Sequence, residues 1–157
     1  MSQTVQTRPF LKWAGGKRRL LEQYAPYFPK LNKKATYFEP FLGGGALFFH
    51  LAPEQACLSD INDELINCYL SLRDDTEKVR SLVRAHGRNH CHDYYYYMRD
   101  YTPKSAARRA ARFIYLNRTC YNGLYRVNSK GKFNVPMGQY KDPFKHIDGW
   151  LEAAARA

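Results

Sequence analysis

Phe38-Glu39-Pro40-Phe41-Leu42-Gly43-Gly44-Gly45-Ala46 is the stretch on which the reading of this chain turns. Thr36-Tyr37-Phe38 is a short apolar, β-prone run, and Ala46 to Leu51 can open a helix packed on that strand. Glycines after a strand let the backbone approach a ligand and adopt dihedral angles that other residues resist. The spacing is not the G-x-G-x-x-G of dinucleotide enzymes, because Phe48 takes the sixth position. A Rossmann oxidoreductase is therefore disfavoured. Taken alone, three glycines suit an ordinary tight turn as well as a cofactor loop.

The flanks add weight. Ala56-Cys57-Leu58-Ser59 reads as a second strand ending at Asp60, about where an acid binds ribose hydroxyls in such units. A helix cap or turn acid is an equally good reading of Asp60. Asn62 or Asp63 can cap a helix whose Leu65, Ile66, Tyr69, Leu70 and Leu72 form its apolar face. Strand, glycine loop, helix, strand and acid, in that order, belong to a nucleotide-binding α/β unit. Upstream, Phe10-Leu11-Lys12-Trp13-Ala14-Gly15-Gly16-Lys17 sets an indole beside paired glycines and a lysine. It could line a pocket, or the Trp could simply be buried near a loop. Leu20, Leu21 and Tyr24 recur at helical spacing until Pro26 and Pro29.

Farther on the character changes. Residues 74–101 read as helical, with Val79, Leu82 and Val83 on one face and Tyr94 to Tyr97 as partly buried packing. Thr102-Pro103 suits the cap and first turn of another helix. There Ala106, Ala110, Phe113, Ile114 and Asn117 track one face, and Arg108, Arg109 and Arg112 another. Leu124–Val127 and Lys132–Val135 flank Asn128-Ser129-Lys130-Gly131, which suits a short hairpin turn.

At 157 residues and 45% apolar content the chain can bury a core. Its net charge is +11, which favours an anionic partner, with nucleic acid foremost. Arg99 to Lys145 holds eleven Lys and Arg against two acids, so that third is the candidate nucleic-acid face, although charge runs are often only solvated surface. Thirteen Tyr suit base stacking or a Tyr-rich core alike. With no long apolar run and no signal-like start, a cytoplasmic protein away from membranes is expected. Cys57, Cys68, Cys91 and Cys120 form no C-x-x-C pair and read as free thiols. His90-Cys91-His92 is weak as a metal site and reads as an exposed turn; no metal is expected.

Four blocks in order resemble the Dam-type DNA adenine-N6 methyltransferases: Lys12-Trp13-Ala14-Gly15-Gly16-Lys17, Glu39-Pro40-Phe41 with its glycines, Ser59-Asp60-Ile61-Asn62, and Asn117 to Arg126 continued by Gly131 to Tyr140. The resemblance covers residues 8–145. It implies a partial Rossmann-like α/β domain for S-adenosyl-L-methionine, with an inserted helical and β-hairpin DNA-recognition domain. Residues 1–70 would belong to the cofactor domain, 71–145 to recognition, and 146–157 to the return toward the catalytic domain. Trp13, Lys17, Phe41, Gly43, Gly45 and Asp60 would bind the cofactor, with Asp60 on the ribose. Tyr121 would wedge into duplex DNA beside a flipped adenine. Asn122, Leu124 and Arg126 would read bases, and Pro136, Tyr140 and Lys141 would make further DNA contacts. Arg is the commonest bidentate reader of guanine, which agrees with Arg126 on a hairpin. An aromatic wedge fits a stack that has lost a base. For Arg118 a structural ion pair or phosphate contact is as good a reading as base readout.

The family's catalytic D-P-P-Y is not among these 157 residues. Asp142-Pro143-Phe144 is rejected as its substitute, having one Pro and lying just after Gly138-x-Tyr140. No catalytic residue is assigned. The expectation is an adenine methyltransferase, monomeric, acting on duplex DNA (GATC by resemblance), here in a truncated form inactive alone. The alternative is a catalytically dead DNA- or cofactor-binding remnant.

Overall fold

A computed structural model describes residues 7–15, 20–28 and 35–157. Two parallel strands, β1 (Tyr37–Glu39) and β2 (Ala56–Leu58), pair in the register Tyr37–Ala56, Phe38–Cys57 and Glu39–Leu58. A short helix, α1 (Leu21–Tyr24), runs into a 3-10 turn containing Pro26. The connection between the strands carries α2 (Ala46–Leu51). The strand, glycine loop, helix and strand expected from the sequence are all present. Left-handed Gly45 (φ 69°) opens α2 and Ala52 (φ 45°) closes it, so the helix is held to six residues.

Five further helices pack around this unit. In α3 (Asp63–Asp74) the Asn62 side chain accepts the Leu65 N–H at 3.0 Å, satisfying a donor that the first turn leaves open. Leu65, Cys68 and Leu72 are its buried stripe, whereas Leu70, expected on the apolar face, is exposed. The segment expected as one helix over 74–101 is two, α4 (Thr76–Arg88) and α5 (His92–Asp100). The break lets the His90 ring lie edge-on to Tyr115 and Phe144 while its Nδ1 hydrogen-bonds the Tyr115 hydroxyl at 2.9 Å. Thr102-Pro103 does not open α6 either: the helix spans Ala106–Thr119 behind Ser105, and Pro103 is buried in the connection. α7 spans Ile147–Ala155.

Helix α6 is the central strut. Ala110, Ala111 and Ile114 are wholly buried, and the small alanines let α3 and α4 approach closely. Phe10, Leu42, Phe48, Leu65, Val79, Val83 and Leu151 complete one continuous core. Each large apolar side chain buried there contributes roughly 1.5–3 kcal/mol. A second cluster joins Tyr95, Met98, Tyr115, Leu116, Phe133 and Val135 beneath the hairpin. Outside the core, the Asp148 carboxylate of α7 accepts from both Arg80 and Arg84 of α4, at 2.7 Å from each terminal nitrogen. Among the described residues no helix is long and apolar enough to cross a membrane, and no group of three or more His, Cys, Asp or Glu could hold a metal.

Candidate cofactor cavity and nucleic-acid interface

Parallel strands place the loops at their carboxyl ends side by side, where α/β proteins bind ligands. Here those loops are Pro40–Gly45 and Ser59–Asp60, tied by the Leu42 N–H to the Ser59 carbonyl at 3.0 Å. Asp60 completes the tie. Its Oδ2 accepts the Gly43 N–H at 2.9 Å and its Oδ1 the Asn62 N–H at 3.0 Å. The turn-acid role is therefore filled, with a lone pair on each oxygen still available for a ligand hydroxyl.

A cavity of about 250 Å³ opens beside this loop, lined by Trp13, Glu39, Phe41, Gly43, Gly44 and Asp60, with Ala14, Gly15, Leu42, Ala46 and Leu47. Four of the six expected cofactor residues thus share one wall system: Trp13, Phe41, Gly43 and Asp60. Gly45 is buried and faces away; a Cβ there would meet the Tyr69 hydroxyl at 2.9 Å and the Phe49 ring at 3.0 Å. Lys17 lies outside the described residues. Trp13 is neither simply buried nor free. One indole edge meets Gly43, where a Cβ would come within 2.9 Å, and one face stacks on Tyr125 at 5.8 Å. Phe41 is largely exposed at the mouth. A larger cleft, about 710 Å³ between Arg8, α2 and α7, contains none of the expected residues.

Glu39 was not singled out by sequence reasoning. It is 7% exposed, lines the cavity, and accepts the Tyr37 hydroxyl at 3.0 Å; burial first, and then this bond to the carboxylate, pushes the Tyr37 phenol up. The signal available was an acid at the carboxyl end of a parallel strand, directly before the glycine loop.

The basic third divides in two. Arg109 binds Glu64 at 2.6 Å, and Arg112 donates to the Met98 and Arg99 carbonyls at 2.7 and 2.6 Å, capping α5. Arg118 donates to the Pro143 carbonyl at 2.9 Å and lies 5.0 Å from the Trp150 ring, so it serves packing; burial pulls its pKa down. Arg99 lies over Tyr96. The remaining seven, Lys104, Arg108, Arg126, Lys130, Lys132, Lys141 and Lys145, are exposed. They carry the usable positive field.

Tyr121, Asn122, Arg126, Pro136 and Lys141 are exposed, while Leu124 and Tyr140 are half-buried. Tyr121 sits in a 3-10 turn (Tyr121–Gly123), its N–H given to Pro136. Asn122 is left-handed (φ 53°), a conformation Asn tolerates better than most residues. The expected hairpin is present as an antiparallel bridge between Val127 and Phe133, and Asn128 closes its turn. On it the Arg126 Nε donates to Asn134 Oδ1 at 2.8 Å, which orients the guanidinium. Tyr140 instead gives its hydroxyl to the Cys120 carbonyl at 3.1 Å.

Residues 13–154 match the sequence profile of the D12 class N6 adenine-specific DNA methyltransferases. The chain belongs to that family. It is 47% identical over 145 residues to the type II methyltransferase M1.LlaDCHI of Lactococcus lactis subsp. cremoris, covering 88% of this chain and 50% of that protein. The type II methyltransferase M.MjaIII of Methanocaldococcus jannaschii is 40% identical over 158 residues, covering 88% and 55%. The DNA adenine methylase of Escherichia coli is 40% identical over 143 residues, covering 88% and 50%. The chain spans about half the length of the relatives it matches. A mixed helix and strand architecture with a small parallel sheet is consistent with the α/β fold of such methyltransferases.

Proposed function

We propose that this D12-family chain holds S-adenosyl-L-methionine and duplex DNA for methylation of adenine N6. The observation that carries the reading is the convergence of Trp13, Glu39, Phe41, Gly43 and Asp60 on one cavity, one stacked ring away from the hairpin that presents Arg126. Asp60 would accept the ribose hydroxyls through its free lone pairs. Trp13, Phe41, Gly43 and Lys17 would enclose the rest of the cofactor, with Gly45 shaping the loop from behind. Glu39 supplies the negative wall that a cationic sulfonium and ammonium call for. The cofactor, when bound, supplies the electrophilic methyl group.

On the DNA side, Tyr121 would fill the stack vacated by a flipped adenine, from a turn whose backbone is pinned to Pro136. Asn122, Leu124 and Arg126 would read base edges, with Arg126 held in register by Asn134. Pro136, Tyr140 and Lys141 would contact DNA around them. On this reading residues 71–145 act as the recognition unit, supported by the second apolar cluster lying wholly within it. Residues 1–70 would form the cofactor side, and 146–157 would return toward it, with α7 packed against both α3 and α4. The groups named here bind and orient; the stretch contains no D-P-P-Y to accept from the adenine amine.

The test is titration of the chain with S-adenosylmethionine and with a duplex carrying one GATC site, with methyl transfer measured in the same samples. Saturable binding of both, with DNA affinity falling steeply as salt rises, is expected. Failure to bind either ligand would overturn the reading.

A further inference from the structure

Two bodies of the proposed machinery, the cofactor-facing segment Lys12–Trp13 and the DNA-facing turn Tyr121–Gly123, meet at a single buried carboxamide. Asn117 sits on the last turns of α6 and is 3% exposed. Its Oδ1 accepts the Lys12 N–H at 2.8 Å, while its Nδ2 donates to the Lys12 carbonyl at 2.6 Å and to the Gly123 carbonyl at 3.1 Å. A side chain thus takes both backbone groups of a residue 105 positions away, as a neighbouring strand would, and clamps the turn with its remaining hydrogen. Packing repeats the link. A Cβ on Gly123 (φ 63°) would lie 2.4 Å from the Lys12 Cβ, so the lysine stem rests directly on the turn. The next residue is Trp13, which meets Gly43 on the cavity side and stacks on Tyr125 on the hairpin side.

We propose that Asn117 is a positioning residue that sets the indole of Trp13 and the turn Tyr121–Gly123 in one register, so that occupancy of the cofactor cavity and engagement of DNA favour each other. The inference rests on the functional reading above and deepens it. Asn117 touches neither ligand and acts through Lys12 and Gly123. A displacement of Lys12 moves Trp13 against Gly43, where the clearance is already minimal. An ordered Trp13 holds Lys12, and through Asn117 the turn that carries Tyr121. Each ligand then orders what the other must find ordered, which is the thermodynamic content of positive coupling.

The experiment titrates S-adenosylhomocysteine into the chain, alone and with saturating GATC duplex, for the native protein and for Asn117→Ala and Asn117→Asp. The native chain is expected to bind the cofactor product at least about five-fold tighter with DNA present, the lower end of typical coupling between sites. Both variants should bind each ligand separately within about three-fold of native, yet bring that coupling factor close to one. A merely structural role predicts something else: lower thermal stability, with both affinities falling in proportion to the folded fraction and coupling retained. That result would overturn the proposal, as would a native chain that binds both ligands without coupling. A native chain that binds neither would overturn the functional reading itself, a distinguishable failure. Should the variants not fold, Trp150→Phe leaves Trp13 as the single tryptophan. Duplex should then shift Trp13 emission without cofactor, and an unchanged emission at saturating duplex would overturn the proposal.

Discussion

The Asp60 carboxylate accepts the backbone N–H of Gly43 at 2.9 Å, so the acid at the end of β2 holds open the glycine loop that follows β1. One residue both shapes the cavity and faces into it. Hydrogen bonds to charged groups contribute about 1.5–3 kcal/mol. Asp60→Ala is therefore expected to weaken S-adenosylhomocysteine binding by about ten-fold or more, measured by calorimetry. Asp60→Asn, which keeps one acceptor oxygen, should lose less.

Glycine replacements should separate backbone strain from steric loss. Gly43 has φ 51° and a Cβ would meet Trp13 at 2.9 Å, whereas Gly131 has φ 71° with nothing within 4 Å. Gly131→Ala is expected to cost about 1–2 kcal/mol of stability, the left-handed penalty alone. Gly43→Ala should cost more and also shift Trp13 fluorescence. Equal losses in thermal melts would contradict this account of the loop.

On DNA, Arg126→Ala should cost about 1–3 kcal/mol and relax preference at one base pair. Lys141→Ala should instead weaken all duplexes alike and reduce the salt slope by about one. Arg118→Ala should leave the salt slope unchanged, because that guanidinium serves Pro143 and Trp150. Filter binding across a salt series distinguishes the three.

Acid should destabilise the fold in two stages. Burial holds the His86 imidazole, bonded to the Tyr94 hydroxyl at 2.7 Å, at a pKa of about 4. The unfolded chain binds that proton from about pH 6.5, so stability is full above that value and declines as pH falls toward 4. Arg80 and Arg84 hold the Asp148 carboxyl at about 2. Its contribution is present above about pH 3.8 and is lost as pH falls further. Thermal melts of His86→Gln should show a smaller first stage, the remainder coming from His90, whose imidazole pKa burial also lowers, and keep the second.

The β1–α2–β2–α3 unit was legible because each element carries its own punctuation: a β-prone run before Gly43–Gly45, and Asn62 at a helix start. What was not legible depended on distant partners. The break between α4 and α5 exists because His90 finds Tyr115 and Phe144, which no local pattern announces. Arg109, Arg112 and Arg118 look like DNA contacts in a charge count, but Glu64, two carbonyls at the end of α5, and Pro143 occupy them. Glu39 stands in the stretch quoted before the glycines without a role, and its place on the cavity wall became visible only once β1 and β2 were aligned.

Everything proposed for this chain depends on the cavity between Trp13 and Asp60 taking S-adenosylmethionine. Equilibrium dialysis of the chain against methyl-labelled cofactor tests it most directly. Saturable one-to-one binding, lost in Asp60→Ala at temperatures where that variant remains folded, is the predicted result. No binding at millimolar cofactor, or binding indifferent to Asp60, would contradict it.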